Sequence, residues 1–286
     1  MEIFVTTMNY SNIIYAFDIE TTTNENHITS HYLSNFVSVD FKLLRNEPAE
    51  ILANISAPFF CRTAEDVNDF LIKLNNKAEK QDAKFLIFIH NFSYEFDFLI
   101  KNVKFFYENF KNENELFIKS RIPLFVRTGN LEFRCSYKLL NKSLKRLGDE
   151  LNYPKKEINY KTEYYSFSDL PQIEYDYNER DTRLTLFAVL QECKKWDWIK
   201  NTKDIPLTST GFTRKNNLKI NSRENTRTFA SICKYQKELS VEQINFLEKC
   251  FSGGYNHCNP LFYAKPLQNC ASFDIISSYI DTILHR

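Results

Sequence analysis

Five consecutive apolar residues, Phe85-Leu86-Ile87-Phe88-Ile89, constrain this chain of 286 residues more than any other stretch. An apolar run without polar alternation reads as a central strand covered on both faces, so its sheet needs helices above and below. The sequence supplies them. Thr63 with Asp66 three residues later is a helix-start signal, and Val67, Phe70, Leu71 and Leu74 follow at the spacing of an amphipathic helix packed on a sheet. Ser143 to Leu151 reads as a short basic helix, and Ser168 to Pro171 introduces a longer one from about Glu174 to Trp196. Further strands are expected at Asn35 to Leu44, broken by Arg45-Asn46-Glu47-Pro48, and in a hairpin whose arms, Ile122 to Thr128 and Leu131 to Tyr137, flank Gly129-Asn130. The expected class is α/β, a mixed sheet flanked by helices.

Composition narrows the field. With 43% hydrophobic and 26% charged residues, the chain has the balance of a soluble globular protein and is long enough for one large domain and a smaller piece. Seven cysteines, an odd number with no Cys-x-x-Cys pair, argue against a disulfide framework or a zinc site and for a reducing compartment. No basic-then-apolar leader opens the chain and no stretch approaches the ~20 apolar residues of a membrane helix, so the expected location is the cytoplasm. The net charge of +1 is silent about nucleic acid, which needs only local clustering. One cluster exists: Arg214, Lys215, Lys219, Arg223 and Arg227 face a single acid, Glu224, and read either as a solvated linker or as phosphate contacts.

The chemistry points elsewhere. In the apolar strand Ile14 to Thr22, Asp18 and Glu20 are two apart and so project from one face, with Ile19 turned to the other. Adjacent carboxylates repel one another, and hard divalent cations turn that repulsion into binding. A lone Asp-x-Glu is more often a solvated edge or a cap; further acids in matching places change its meaning. Glu95 and Asp97 follow the end of the Phe85–Ile89 strand, where ligands gather in sheets of this kind. Asp181 lies one helical turn after Tyr177, on the side continued inward by Leu184 and Ala188, and a carboxylate there needs a partner. Acids from three separate segments suit a pair of cations of the kind that serve phosphodiester hydrolysis, with Tyr177 placed to aim a water. Lys155, in the loop segment Lys155-Lys156-Glu157-Ile158, would ordinarily be a solvated lysine.

Asp18-x-Glu20, Asn91-x-x-Tyr94-Glu95 and Tyr177-x-x-x-Asp181 resemble, in order, the three motifs of the 3'-5' exonuclease domain of family B DNA polymerases. Ser136 with Leu140, Lys155-x-x-Ile158, Phe251-Ser252-Gly253-Gly254 and Asp274-x-x-Ser277-Ser278-Tyr279 are similar to elements of the protein-primed branch found in phages and linear plasmids. The resemblance implies a ribonuclease-H-like exonuclease domain over 1–200, a basic connecting segment and helix over 201–250, and the beginning of a polymerase palm over 251–286. It implies two divalent ions, Mg2+ or Mn2+, on Asp18, Glu20, Glu95 and Asp181, with Asp97 as the alternate to Glu95. Thr21, Asn91, Tyr94 and Ser136 would hold the single-stranded 3' end of DNA, Lys155 would assist at the scissile phosphate, and Phe251, Gly253 and Gly254 would contact primer-template. Asp274 would be the motif A metal ligand. The chain departs from the family pattern in having Glu95 where an Asp is usual and Phe251 where a Tyr is usual.

The later palm motifs do not occur before Arg286, so polymerisation is not expected from this chain by itself. A terminal protein primer and a separate polymerase part are the further partners implied, with no membrane. The alternative is a non-catalytic DNA-binding or docking subunit of a split polymerase.

Overall fold

The computed structural model describes residues 9–23, 25, 29–119, 122–156, 158, 163–224, 240, 242 and 243. Two compact units divide the chain, Met1–Asn225 and Thr226–Arg286. The first extends past residue 200. Residues beyond that point are tied back to it: Arg134 donates to the Ile205 carbonyl, Thr202 donates to the Ser11 carbonyl, and Phe212 stacks on Trp196.

Seven strands form one mixed sheet in the order β3-β2-β1-β4-β7-β6-β5. They are β1 (Tyr10–Thr23), β2 (Thr29–Asp40), β3 (Phe59–Cys61), β4 (Lys84–Ile89), β5 (Phe110–Lys119), β6 (Ile122–Thr128) and β7 (Leu131–Cys135). β4 is parallel to both its neighbours, β1 and β7; every other pairing is antiparallel. The helices are α1 (Pro48–Ala53), α2 (Ala64–Lys80), α3 (Ser93–Asn102), α4 (Lys104–Asn109), α5 (Ser136–Leu140), α6 (Leu144–Glu150), α7 (Gln172–Lys194) and α8 (Ser209–Glu224).

The central strand behaves as its composition requires. Phe85, Ile87 and Ile89 pack with α2, α3 and α4 on one face, while Leu86 and Phe88 pack with α5, α6 and α7 on the other. The same alternation runs along β1: Tyr15, Phe17 and Ile19 join the first cluster, Ile14 and Ala16 the second. Asp18 and Glu20 share parity with Ile14 and Ala16, so they emerge on the α7 face. α2 starts at the expected cap, where Thr63 and Asp66 form a reciprocal capping box. Gly129 takes φ +57° in the β6–β7 turn, and a Cβ there would meet Asn75 Oδ1 at 2.4 Å, so the position demands glycine.

Three expected elements differ. The strand read as Asn35 to Leu44 begins at Thr29 and ends at Asp40, whose carboxylate accepts from Lys42 N and starts a 3-10 turn over Phe41–Arg45. The second hairpin arm stops at Cys135, and Ser136 opens a helix instead. The segment from Lys200, read as a polar crossing, contains a 3-10 turn at Thr202–Asp204 and the helix α8. Ser240 and Gln243 form a capping pair, with Gln243 N donating to Ser240 Oγ at 3.2 Å.

Candidate metal centre

Register brings the first two acids under α7. β1 pairs with β2 so that Asp18 faces Asn35, and the ladder shifts register between Glu20 and Thr21 before resuming with Thr21 opposite His31. From above, α7 presents a buried polar stripe of Glu174, Asn178, Asp181 and Thr185 at helical spacing. One oxygen each from Asp18, Glu20 and Asp181 then lie within 4.8 Å of one another. Two of these acids are part-exposed at the mouth, while Asp181 is only 3% exposed.

Asn178 ties the acids together. Its Nδ2 donates to Asp18 Oδ2 at 3.1 Å and to Glu20 Oε1 at 3.3 Å, while its Oδ1 accepts from Asn35 Nδ2 at 2.8 Å. One turn earlier, Tyr32 donates to Glu174 at 3.0 Å. Neither asparagine was singled out from sequence. Their signal is the juxtaposition itself: Asn35 is opposite Asp18 only in the folded register, and Asn178 directly follows Tyr177.

Glu95 sits in the first turn of α3, after the end of β4, and is buried. It stands outside the group of three but close enough for the Asp18 charge to act on it. Asp97 is turned away. Its carboxylate lies 3.9 Å from Lys101 and lines a neighbouring cleft, whereas Glu95 is close enough to feel the Asp18 charge.

Electrostatics report the strain of this grouping. Burial, then the charge of Asp181, pushes the Asp18 carboxyl up to about 7. Burial, then Asp18 and Asp181, raises Glu20 well above the usual carboxylate range, and burial followed by Asp18 does the same to Glu95. Burial also raises Asp181, against the pull of Lys155. Among the described residues, Asp181 Oδ1 and Glu95 Oε2 are buried without a hydrogen-bond partner. Orphaned carboxylate oxygens beside mutually repelling acids are a donor set suited to a hard divalent cation.

Lys155 reaches the same group. Its Nζ is 2.6 Å from Asp181 Oδ2 and 4.7 Å from the centre of the Tyr177 ring, and the Tyr177 side chain is hydrogen-bonded to Asp181. Tyr177 is itself buried.

The residues expected to hold a strand divide. Tyr94 is 47% exposed and its hydroxyl hydrogen-bonds Thr21 Oγ1. Both line an open cleft of about 580 Å3 beside the acids, together with Phe98, His31, Arg62 and Lys101. Asn91 is exposed, in a left-handed conformation with φ +64°, which asparagine tolerates. Ser136 is fully buried; its hydroxyl donates to the Ile89 carbonyl and lies 3.1 Å from His90 Nδ1, so it braces the chain after β4 from within. Phe251, Gly253, Gly254 and Asp274 lie outside the described residues.

No protein-family model and no curated protein matches the sequence. Solved structures do match. Phi29 DNA polymerase complexed with primer-template DNA, in a post-translocation binary complex, superposes with a TM-score of 0.63 at 16% identity, over 88% of this chain and 41% of that one. The fold is similar to part of phi29 DNA polymerase. Its ternary complex with primer-template DNA and incoming nucleotides gives 0.61 at 16% identity over 89% of this chain. Its complex with single-stranded DNA gives 0.59 at 15% over 87%. In each case this chain spans 41% of the phi29 polymerase length. No helix of the described residues is long and apolar enough to cross a membrane.

Proposed function

We propose that this chain carries a metal-dependent 3'-5' exonuclease acting on single-stranded DNA ends, in a ribonuclease-H-like domain of a protein-primed family B DNA polymerase. The observation that carries the reading is the gathering of Asp18, Glu20 and Asp181, from the first and third of the ordered motifs, within 4.8 Å on one face of the sheet. Similarity to part of phi29 DNA polymerase supports the lineage.

Bound divalent ions would supply a hydroxide nucleophile and neutralise the departing 3'-oxygen. Asp18, Glu20 and Asp181 would hold them, with Glu95 completing the set from α3. Asn178 keeps the Asp18 and Glu20 carboxylates at a fixed separation, and Tyr177 does the same for Asp181. Lys155 lies against Asp181, where its ammonium would also meet an oxygen of the scissile phosphate. The exposed ring of Tyr94, with its hydroxyl fixed by Thr21, gives the terminal base a stacking surface indifferent to sequence. Asn91 stands beside it.

The purified chain is expected to shorten a 5'-labelled single strand from its 3' end, giving a ladder with Mg2+ or Mn2+ and none with chelator. An Asp18→Ala, Glu20→Ala double variant should give no ladder. Wild type and variant equally inert under both metals would remove the catalytic reading.

A further inference from the structure

We propose a second DNA contact: the cleft between the β6–β7 hairpin and α8 binds the phosphodiester backbone of the same strand, far from its 3' end. This rests on the exonuclease reading for the identity of the polyanion. The cleft, of about 550 Å3, is lined by Arg127, Arg134, Lys203, Arg214 and Lys215 against a single carboxylate, Glu132.

On its floor, Arg127 Nε and Arg134 Nε lie 2.5 and 2.6 Å from the two oxygens of Glu132. Two guanidinium groups therefore share one buried carboxylate, and the floor keeps a surplus positive charge. On the rim, Lys203 and Arg214 are exposed and make no ion pair among the described residues. Lys215 donates to the Asp204 carbonyl and lies 5.6 Å from the centre of the Trp198 ring. The N-terminus of α8, preceded by Thr208, opens beside the cleft and adds its backbone donors to the positive field. A small anion could meet the floor or the rim, but not cations spread over both. An extended polyanion meets them together.

The position fits a remote contact. Tyr10, which lines the cleft, begins β1, whereas Asp18 and Glu20 lie toward its other end. At about 3.4 Å per residue, Tyr10 and Asp18 are roughly 27 Å apart. A strand with its 3' end at the acids needs about eight nucleotides to reach the cleft if stacked at the duplex spacing of about 3.4 Å, and about half that number if fully extended. Short strands should not sense it.

The test compares wild type with a Lys203→Ala, Arg214→Ala double variant, both residues being exposed and outside the acid site. Binding of single strands of about three and about twenty nucleotides is followed by fluorescence anisotropy in chelator, at about 50 to 200 mM salt. For the long strand the variant should bind about tenfold more weakly, with the slope of log K against log salt shallower by about 1.4, two contacts at about 0.7 each. The short strand should be unaffected. Unaltered binding of the long strand, equal losses for both lengths, or no binding of the long strand by wild type would each overturn the proposal. The two readings separate: length-dependent loss in chelator from a chain that cuts nothing with Mg2+ keeps the cleft and removes the exonuclease, and cutting without that loss does the reverse.

Discussion

Asp18→Asn is expected to make the metal-free chain more stable at pH 8 while abolishing cleavage. The two effects have one cause. With its carboxyl pushed up to about 7 by burial and by Asp181, Asp18 is charged at pH 8 in a place that disfavours charge. The amide keeps the shape and the hydrogen bond to Asn178 can be rearranged, so removing the charge should add on the order of 1–3 kcal/mol. Between pH 7 and 4 the folded Asp18 binds a proton that the unfolded one does not, so stability from this residue rises as pH falls through that window. His31 and His90 act oppositely: burial lowers both to about 4, so their contribution is lost as pH falls from 6.5 to 4. The difference between wild type and variant isolates Asp18, shrinking as pH drops from 8 to 5. Divalent ions should reverse the order, stabilising wild type by about 2.7 kcal/mol at a hundredfold excess over Kd and the variant much less. Thermal unfolding at pH 8 and 5, with chelator and with Mn2+, measures all of this. A variant less stable than wild type in chelator at pH 8 would mean that the acids are not under mutual strain.

Glu132→Ala should be the more damaging substitution for the fold, costing about 3–5 kcal/mol. The Glu132 side chain is 1% exposed and accepts from Tyr10 at 2.7 Å as well as from Arg127 and Arg134. Burial alone would raise its pKa, but Arg134, Arg127 and Tyr10 together hold it below the usual carboxylate range. Alanine would leave the buried Arg134 without its carboxylate partner, facing the Ile205 carbonyl and the Tyr10 ring. Because β7 carries this network next to the central strand β4, the loss should appear as global unfolding at lower urea. A shift worth under about 1 kcal/mol would show that water or relaxation replaces the carboxylate.

Much of this architecture is legible in local sequence because local physics sets it. The apolar run Phe85–Ile89 can only be a strand with two covered faces, and the Thr63–Asp66 box fixes the start of α2. Parity along β1 puts Asp18 and Glu20 on one face whatever the rest does. What local pattern could not supply depends on register between distant segments. Asn178 follows Tyr177 as an ordinary polar residue, and nothing in the sequence says that it reaches Asp18 and Glu20 across α7 and β1. Ser136, which the resemblance assigns to the single strand, is buried where the β4–β7 pairing places it against Ile89 and His90. α8 is not legible because Ser209–Glu224 lacks an apolar stripe; among its described side chains, Phe212 is the one that joins the core. β5 was missed for the same kind of reason, its first half being Lys111-Asn112-Glu113-Asn114-Glu115.

The account stands on a metal centre made by acids from separate segments, and metal binding can be measured without DNA or turnover. Mn2+ titration of the purified chain at pH 8, followed by the loss of the free-ion paramagnetic resonance signal, should show saturable binding of about two ions. Asp181→Asn, which folds with the same buried volume, should bind at least one of them about tenfold more weakly. Wild type that takes up no Mn2+, or a variant whose titration overlays that of wild type, would contradict the account at its centre.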